Sequence, residues 1–122
     1  MARILVVEDE EPVRDFVRRA LELDGHATLG AGDGGEGLDR LQAEAGAVDL
    51  LLTDIRMPVM DGIALALAAA RDFPSMPILL MTGYADQRER ARNLESLVRD
   101  VLVKPFTLAH LRQVVAQIVA KG

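Results

Sequence analysis

Three carboxylates, a hydroxyl and an ammonium stand at the ends of short apolar runs in this chain. Glu8 and Asp9 follow RILVV, Asp54 closes LLLTD, Thr82 closes ILLMT and Lys104 follows DVLV. Acids at such spacing repel one another, and the cheap remedies are protonation of one of them or a hard divalent cation that joins them. Mg²⁺ takes few protein oxygens and keeps several waters, so two carboxylates and a backbone carbonyl would suffice. An Asp54 carboxylate so placed could attack a phosphoryl group and form an acyl phosphate. The cation and Lys104 would neutralise charge on the phosphoryl oxygens, and Thr82 would donate to one of them. Singly, each residue is unremarkable, since an Asp after a strand is more often a cap or turn former than a nucleophile.

The chemistry depends on elements that bring these run-ends together. β-type runs at Arg3 to Val7, Ala27 to Ala31, Val48 to Thr53, Pro77 to Thr82 and Asp100 to Val103 alternate with segments of helical periodicity. Val13, Phe16, Val17, Ala20 and Leu21 fall on one face of a first helix, and Gly25 suits the position just past its end. Gly34 to Ala45 and the alanine-rich Ile63 to Asp72 follow. Ala85 to Leu97 is heavily charged, with only Ala91, Leu94 and Leu97 as an apolar stripe, and is expected to be the most solvated helix. Thr107 to Ala120 places Leu108, Leu111, Val115, Ile118 and Val119 together. Runs such as LLLT and ILLM are continuously apolar, as a parallel sheet covered on both faces requires. The expectation is a doubly wound α/β sandwich of five βα units, whose ligands bind beyond the carboxyl ends of the strands.

The 122 residues match one domain, 1–122, and 50% hydrophobic content supplies a core. There is no cysteine, and no apolar stretch approaches the ~20 residues that span a bilayer, so a soluble, cytoplasmic protein without membrane contact is expected. A net charge of -5 and 3% aromatic content argue against direct nucleic-acid binding.

The motifs VVEDE, LLLTDIRMPVMDG, MTGYA and VLVKPF, in this order and spacing, resemble the receiver domain of bacterial two-component response regulators over essentially the whole chain. The resemblance implies a flavodoxin-like (βα)5 fold with a five-stranded parallel sheet in the order 2-1-3-4-5. It also implies phosphorylation of Asp54 from a histidine kinase or phosphotransfer protein. It makes Glu8 and Asp9 the acidic pocket, with Asp9 and Asp54 binding Mg²⁺ alongside the carbonyl of Arg56. Thr82 becomes the switch hydroxyl and Lys104 the phosphate-contacting lysine, with a cis bond to Pro105. The surface of the fourth helix, fifth strand and fifth helix would then alter binding of a downstream protein, or support a homodimer. Such a domain accepts phosphate and at most catalyses its own phosphorylation and dephosphorylation.

The chain departs from the family pattern at two places. Glu8 stands where aspartate is commoner, a tolerated variant. Val101 occupies the position where many receivers place an inward-swinging Tyr or Phe, and Tyr84 is the nearest aromatic that could take over part of the readout. Arg56 and Tyr84 hold the two positions that flank the phosphoryl group; both are bulky, which predicts slow hydrolysis. With no output domain in 122 residues, output is expected through protein contacts or onward phosphotransfer. A receiver excised from a hybrid histidine kinase fits the same motifs. An aspartyl-phosphate phosphatase is disfavoured, because Arg56 sits where such enzymes carry a second acid.

Other features read as structural. Glu10, Glu11 and Pro12 suit a helix start, and Asp61 with Gly62 a turn into the third helix. GAGDGG at 30–35 matches GxGxxG formally, but it follows the second strand, whereas the dinucleotide fingerprint belongs to the first βα turn. His26 and His110 lack partners at metal spacing and read as surface residues. Met57, Met60 and Met81 read as packing.

Overall fold

The computed structural model describes residues 2–44, 46–83, 94 and 96–121. Five strands, β1 (Arg3–Val7), β2 (Ala27–Ala31), β3 (Leu50–Asp54), β4 (Ile78–Thr82) and β5 (Asp100–Val103), form one parallel sheet in the order β2-β1-β3-β4-β5. Four helices are described: α1 (Glu11–Leu23), α2 (Gly34–Ala43), α3 (Gly62–Asp72) and α4 (Leu108–Lys121). This is the flavodoxin-like doubly wound arrangement. The charged segment expected as a further helix lies largely outside the described residues, although Leu94 is buried and Leu97 exposed.

Alternation along the strands builds two cores from one set of apolar runs. Ile4, Val6, Leu50, Leu52, Leu79, Met81 and Leu102 face α1 and α4, where they meet Val17, Ala20, Leu21, Leu111 and Val115. Leu5, Val7, Leu51, Ile78 and Leu80 face α2 and α3, where they meet Leu41, Leu65, Ala66 and Ala69. The interior strands are apolar on both faces because both faces are covered. Truncating any of these leucines to alanine would cost roughly 2–5 kcal/mol.

Helix ends follow local chemistry. Glu10 is the N-cap of α1, Glu11 sits in its first turn and Pro12 opens it. Asp33 caps α2 by accepting from the Glu36 N–H at 2.8 Å, and Asp61 caps α3 by accepting from the Ala64 N–H at 2.9 Å. Past α1, Gly25 takes φ 87°, the left-handed conformation in which glycine carries no Cβ penalty.

Two expectations are corrected. Phe16 is 47% exposed rather than part of the α1 core stripe; it lies at the stripe's margin and lines two clefts. His26 is half-buried, and its Nδ1 accepts from the Ala2 N–H at 3.1 Å, so it ties down the start of the chain instead of facing solvent freely. His110 is exposed, as expected.

Candidate functional site

The strand order explains why residues up to 96 positions apart in sequence become neighbours. β1, β3, β4 and β5 are consecutive in the sheet, and the order reverses between β2–β1 and β3. Glu8 and Asp9 leave β1, Asp54 and Thr82 end β3 and β4, and Lys104 leaves β5, so all five line one rim at the topological switch. Lys104 Nζ donates to Glu8 Oε1 at 2.8 Å and to Asp54 Oδ2 at 3.0 Å. The other Asp54 oxygen, Oδ1, accepts from the Ile55 N–H at 2.8 Å, and Glu8 Oε2 accepts from the Glu10 N–H at 3.2 Å. The Lys104 N–H donates to the Thr82 carbonyl at 2.7 Å, which ties the lysine's backbone to the end of β4.

Burial sets the electrostatics. Glu8 is fully buried, and loss of solvation pushes its carboxyl up to about 7; the Lys104 hydrogen bond opposes the rise and the Asp54 charge adds to it. Burial pulls Lys104 down, but its hydrogen bonds to Glu8 and Asp54 outweigh that and hold it above its ordinary value. The ammonium therefore stays charged while one carboxyl sits near neutrality.

Oxygen atoms of Glu8, Asp9 and Asp54 all lie within 4.8 Å of one another. Three carboxylates converging beside a lysine form a hard-oxygen donor set, which fits Mg²⁺ and suits no soft metal. Asp9 and Arg56 are exposed and line the same cleft of about 670 Å³ as Asp54 and Lys104. Its apolar wall is Val13, Phe16, Pro105 and Phe106.

Of the residues singled out in the sequence, Asp9, Asp54, Lys104 and Arg56 line this cleft, Glu8 lies buried beside their carboxylates and ammonium, and buried Thr82 ends the adjoining strand. The Lys104–Pro105 bond is cis. Val101 is half-buried and packs against the α2–α3 core. Tyr84 lies outside the described residues. The GAGDGG segment runs from β2 into α2 and lines no part of the cleft, in keeping with its reading as a turn.

Sequence reasoning missed Gly62. A Cβ there would lie 1.9 Å from the Asp54 carbonyl oxygen, so the start of α3 rests on the backbone of the residue at the centre of the site. Its N–H donates to the Ile55 carbonyl at 2.7 Å, and the buried Thr53 hydroxyl donates to the Asp54 carbonyl at 2.9 Å. The Asp-Gly pair hinted at a turn; nothing in one sequence revealed this contact.

Comparison with known proteins agrees with the geometry. The family model for the response regulator receiver domain matches residues 4–116. Response regulator MprA of Mycobacterium avium (strain 104) is 36% identical over 109 residues, 89% of this chain and 47% of the relative, so the chain spans about half the length of the curated relatives it matches. A response regulator receiver domain protein from Clostridium thermocellum superposes with a TM-score of 0.91 at 26% identity, covering 99% of this chain and 96% of that one. Response regulator TrrA from Thermotoga maritima, solved in complex with Mg²⁺-BeF, gives a TM-score of 0.85 at 29% identity, covering 97% and 99%. With the family model spanning nearly the whole chain and the acidic rim assembled at the sheet's switch point, the protein belongs to the response regulator receiver domain family of two-component signalling.

Proposed function

We propose that residues 1–122 form a phosphoacceptor domain in which Asp54 takes a phosphoryl group from a histidine kinase or histidine phosphotransfer protein. The observation that carries this reading is Lys104 bridging Glu8 and Asp54 with Asp9 in reach. An Asp54 carboxylate oxygen attacks phosphorus, an O–P bond forms, the P–N bond to the donor imidazole breaks, and the imidazole nitrogen takes a proton from solvent. Glu8, Asp9, Asp54 and the Arg56 carbonyl would hold Mg²⁺, which when bound neutralises carboxylate and phosphoryl charge. Lys104 exchanges its Asp54 contact for a phosphoryl oxygen, and the Thr82 hydroxyl donates to another. By the family's pattern Arg56 and Tyr84 hold the positions beside the phosphoryl group, and their bulk would slow entry of hydrolytic water. The domain works in the cytoplasm as a signalling switch and not as a turnover enzyme, and phosphorylation changes binding of a downstream protein or a second copy at the face of β5, α4 and the segment before β5.

Stoichiometry tests the class of activity. Offered acetyl phosphate, the protein should take up one phosphoryl group and then stop, and it should leave a phosphomonoester unhydrolysed. Sustained phosphomonoester hydrolysis that is lost in Asp54→Asn would instead establish a phosphatase.

A further inference from the structure

Every polar atom of Glu8 has a partner, and one of these contacts departs from the sheet pattern. In the β1–β2 ladder the Ala27 N–H donates to the Ala2 carbonyl at 2.9 Å and the Glu8 N–H to the Ala31 carbonyl at 3.0 Å. Continuing that register would bring the Asp33 N–H to the Glu8 carbonyl. The chain instead turns out of β2 at Gly32, and Asp33 becomes the N-cap of α2. Arg14, in the first half of α1, supplies the missing donor: its Nη1 lies 2.8 Å from the Glu8 carbonyl oxygen. The arginine reaches there over the glycine-rich end of β2. A Cβ on Gly32 would lie 3.4 Å from Arg14 Nη1, and one on Gly30 would lie 3.4 Å from Arg14 Cδ and 2.9 Å from Nη1 of Arg18.

We infer that Arg14 is a positioning residue for the acidic pocket. By holding the Glu8 carbonyl with a charge-assisted bond, it sets the plane of the Glu8–Asp9 peptide, and so the aim of both carboxylates, where the ladder no longer does so. Asp9 depends on this most, because its side chain is exposed and packing does little to orient it. Gly30 and Gly32 of GAGDGG thus lie alongside the arginine, while Gly34 of the same motif packs against the Met60 carbonyl. This inference rests on the reading of Glu8, Asp9 and Asp54 as a cation pocket.

Titrating the full chain with MgCl₂ while following backbone amides by NMR tests it on wild type, Arg14→Met and Arg14→Lys. Arg14→Met should bind Mg²⁺ about tenfold more weakly, the low end for partners behind metal ligands, while the core amides keep their wild-type positions. Arg14→Lys, which keeps a charged donor, should recover most of that loss. A role in packing alone would lower thermal stability and leave Mg²⁺ affinity at the wild-type value; that result overturns the inference. Should Arg14→Met fail to fold, Arg14→Gln, which keeps a polar side chain but is too short and uncharged to hold the Glu8 carbonyl in the same way, must weaken Mg²⁺ binding in the same direction, and unchanged affinity there also overturns it. A wild type whose pocket amides ignore Mg²⁺ overturns the cation-pocket reading itself, an outcome distinct from wild type and variant binding equally well.

Discussion

Glu8 and Asp9 are adjacent in sequence and differ in every physical respect. Glu8 is fully buried with its carboxyl pushed up to about 7, whereas Asp9 is exposed on the cleft. Because the folded state holds the Glu8 proton more tightly than the unfolded chain, its contribution to stability is complete below about 4.5 and is lost as pH rises through about 7. In EDTA, the melting temperature should therefore fall across that window, and Glu8→Gln should flatten the slope. Mg²⁺ needs ionised carboxylates, so it should raise the melting temperature more at pH 8 than at pH 5. An equal Mg²⁺ effect at both values would remove Glu8 from the pocket. Asp9 and its neighbour Glu10 test which acids serve the proposed cation pocket. Asp9→Asn should weaken Mg²⁺ binding by about tenfold or more, as loss of a charged oxygen ligand implies. Glu10→Gln should leave it nearly intact, because Glu10 stands outside the converging carboxylates and holds Glu8 with its backbone N–H, which the substitution keeps. Calorimetric titration of both variants reads the difference.

At the scale of elements, the β3–α3 connection carries the most constraint. Val59 adopts φ 69° while 85% exposed, at the centre of a tight turn in which the Met60 N–H donates to the Pro58 carbonyl at 2.8 Å. A β-branched residue there pays the left-handed penalty with no burial to offset it, so Val59→Gly should stabilise by roughly 1 kcal/mol in denaturant unfolding. Gly62 responds in the opposite sense. Gly62→Ala drives a methyl against the Asp54 carbonyl and should cost about 2 kcal/mol or more, with slower phosphoryl uptake at Asp54. Neither effect was legible in the sequence, because each depends on where two backbone segments meet. The strands were legible for the converse reason. LLLTD and ILLMT are buried on both faces, and a run of leucines states that directly. Phe16 was misread since periodicity assigns a helix face but not where the covering layer ends; α4 covers Val17 and Leu21 and leaves Phe16 at the margin.

At the scale of the whole molecule, one topological fact turns five scattered residues into a site. Four consecutive strands end at one edge, so the order of motifs along the chain becomes an order of groups across a cleft. That is why VVEDE, LLLTD, ILLMT and VLVKP are legible together in the sequence, while Arg14 and Gly62, which act through main-chain atoms, are not. The described residues contain no helix long and apolar enough to cross a membrane. The central claim is that Asp54 is the phosphoacceptor and that its uptake of phosphate depends on the acidic pocket. Intact-mass analysis after incubation with acetyl phosphate and Mg²⁺, on wild type and Asp54→Asn, with and without EDTA, addresses it most directly. The wild type should gain the mass of one phosphoryl group, EDTA should abolish the gain, and Asp54→Asn should gain nothing. A wild type that stays unmodified, or an Asp54→Asn variant that labels as fully as wild type, would contradict the account.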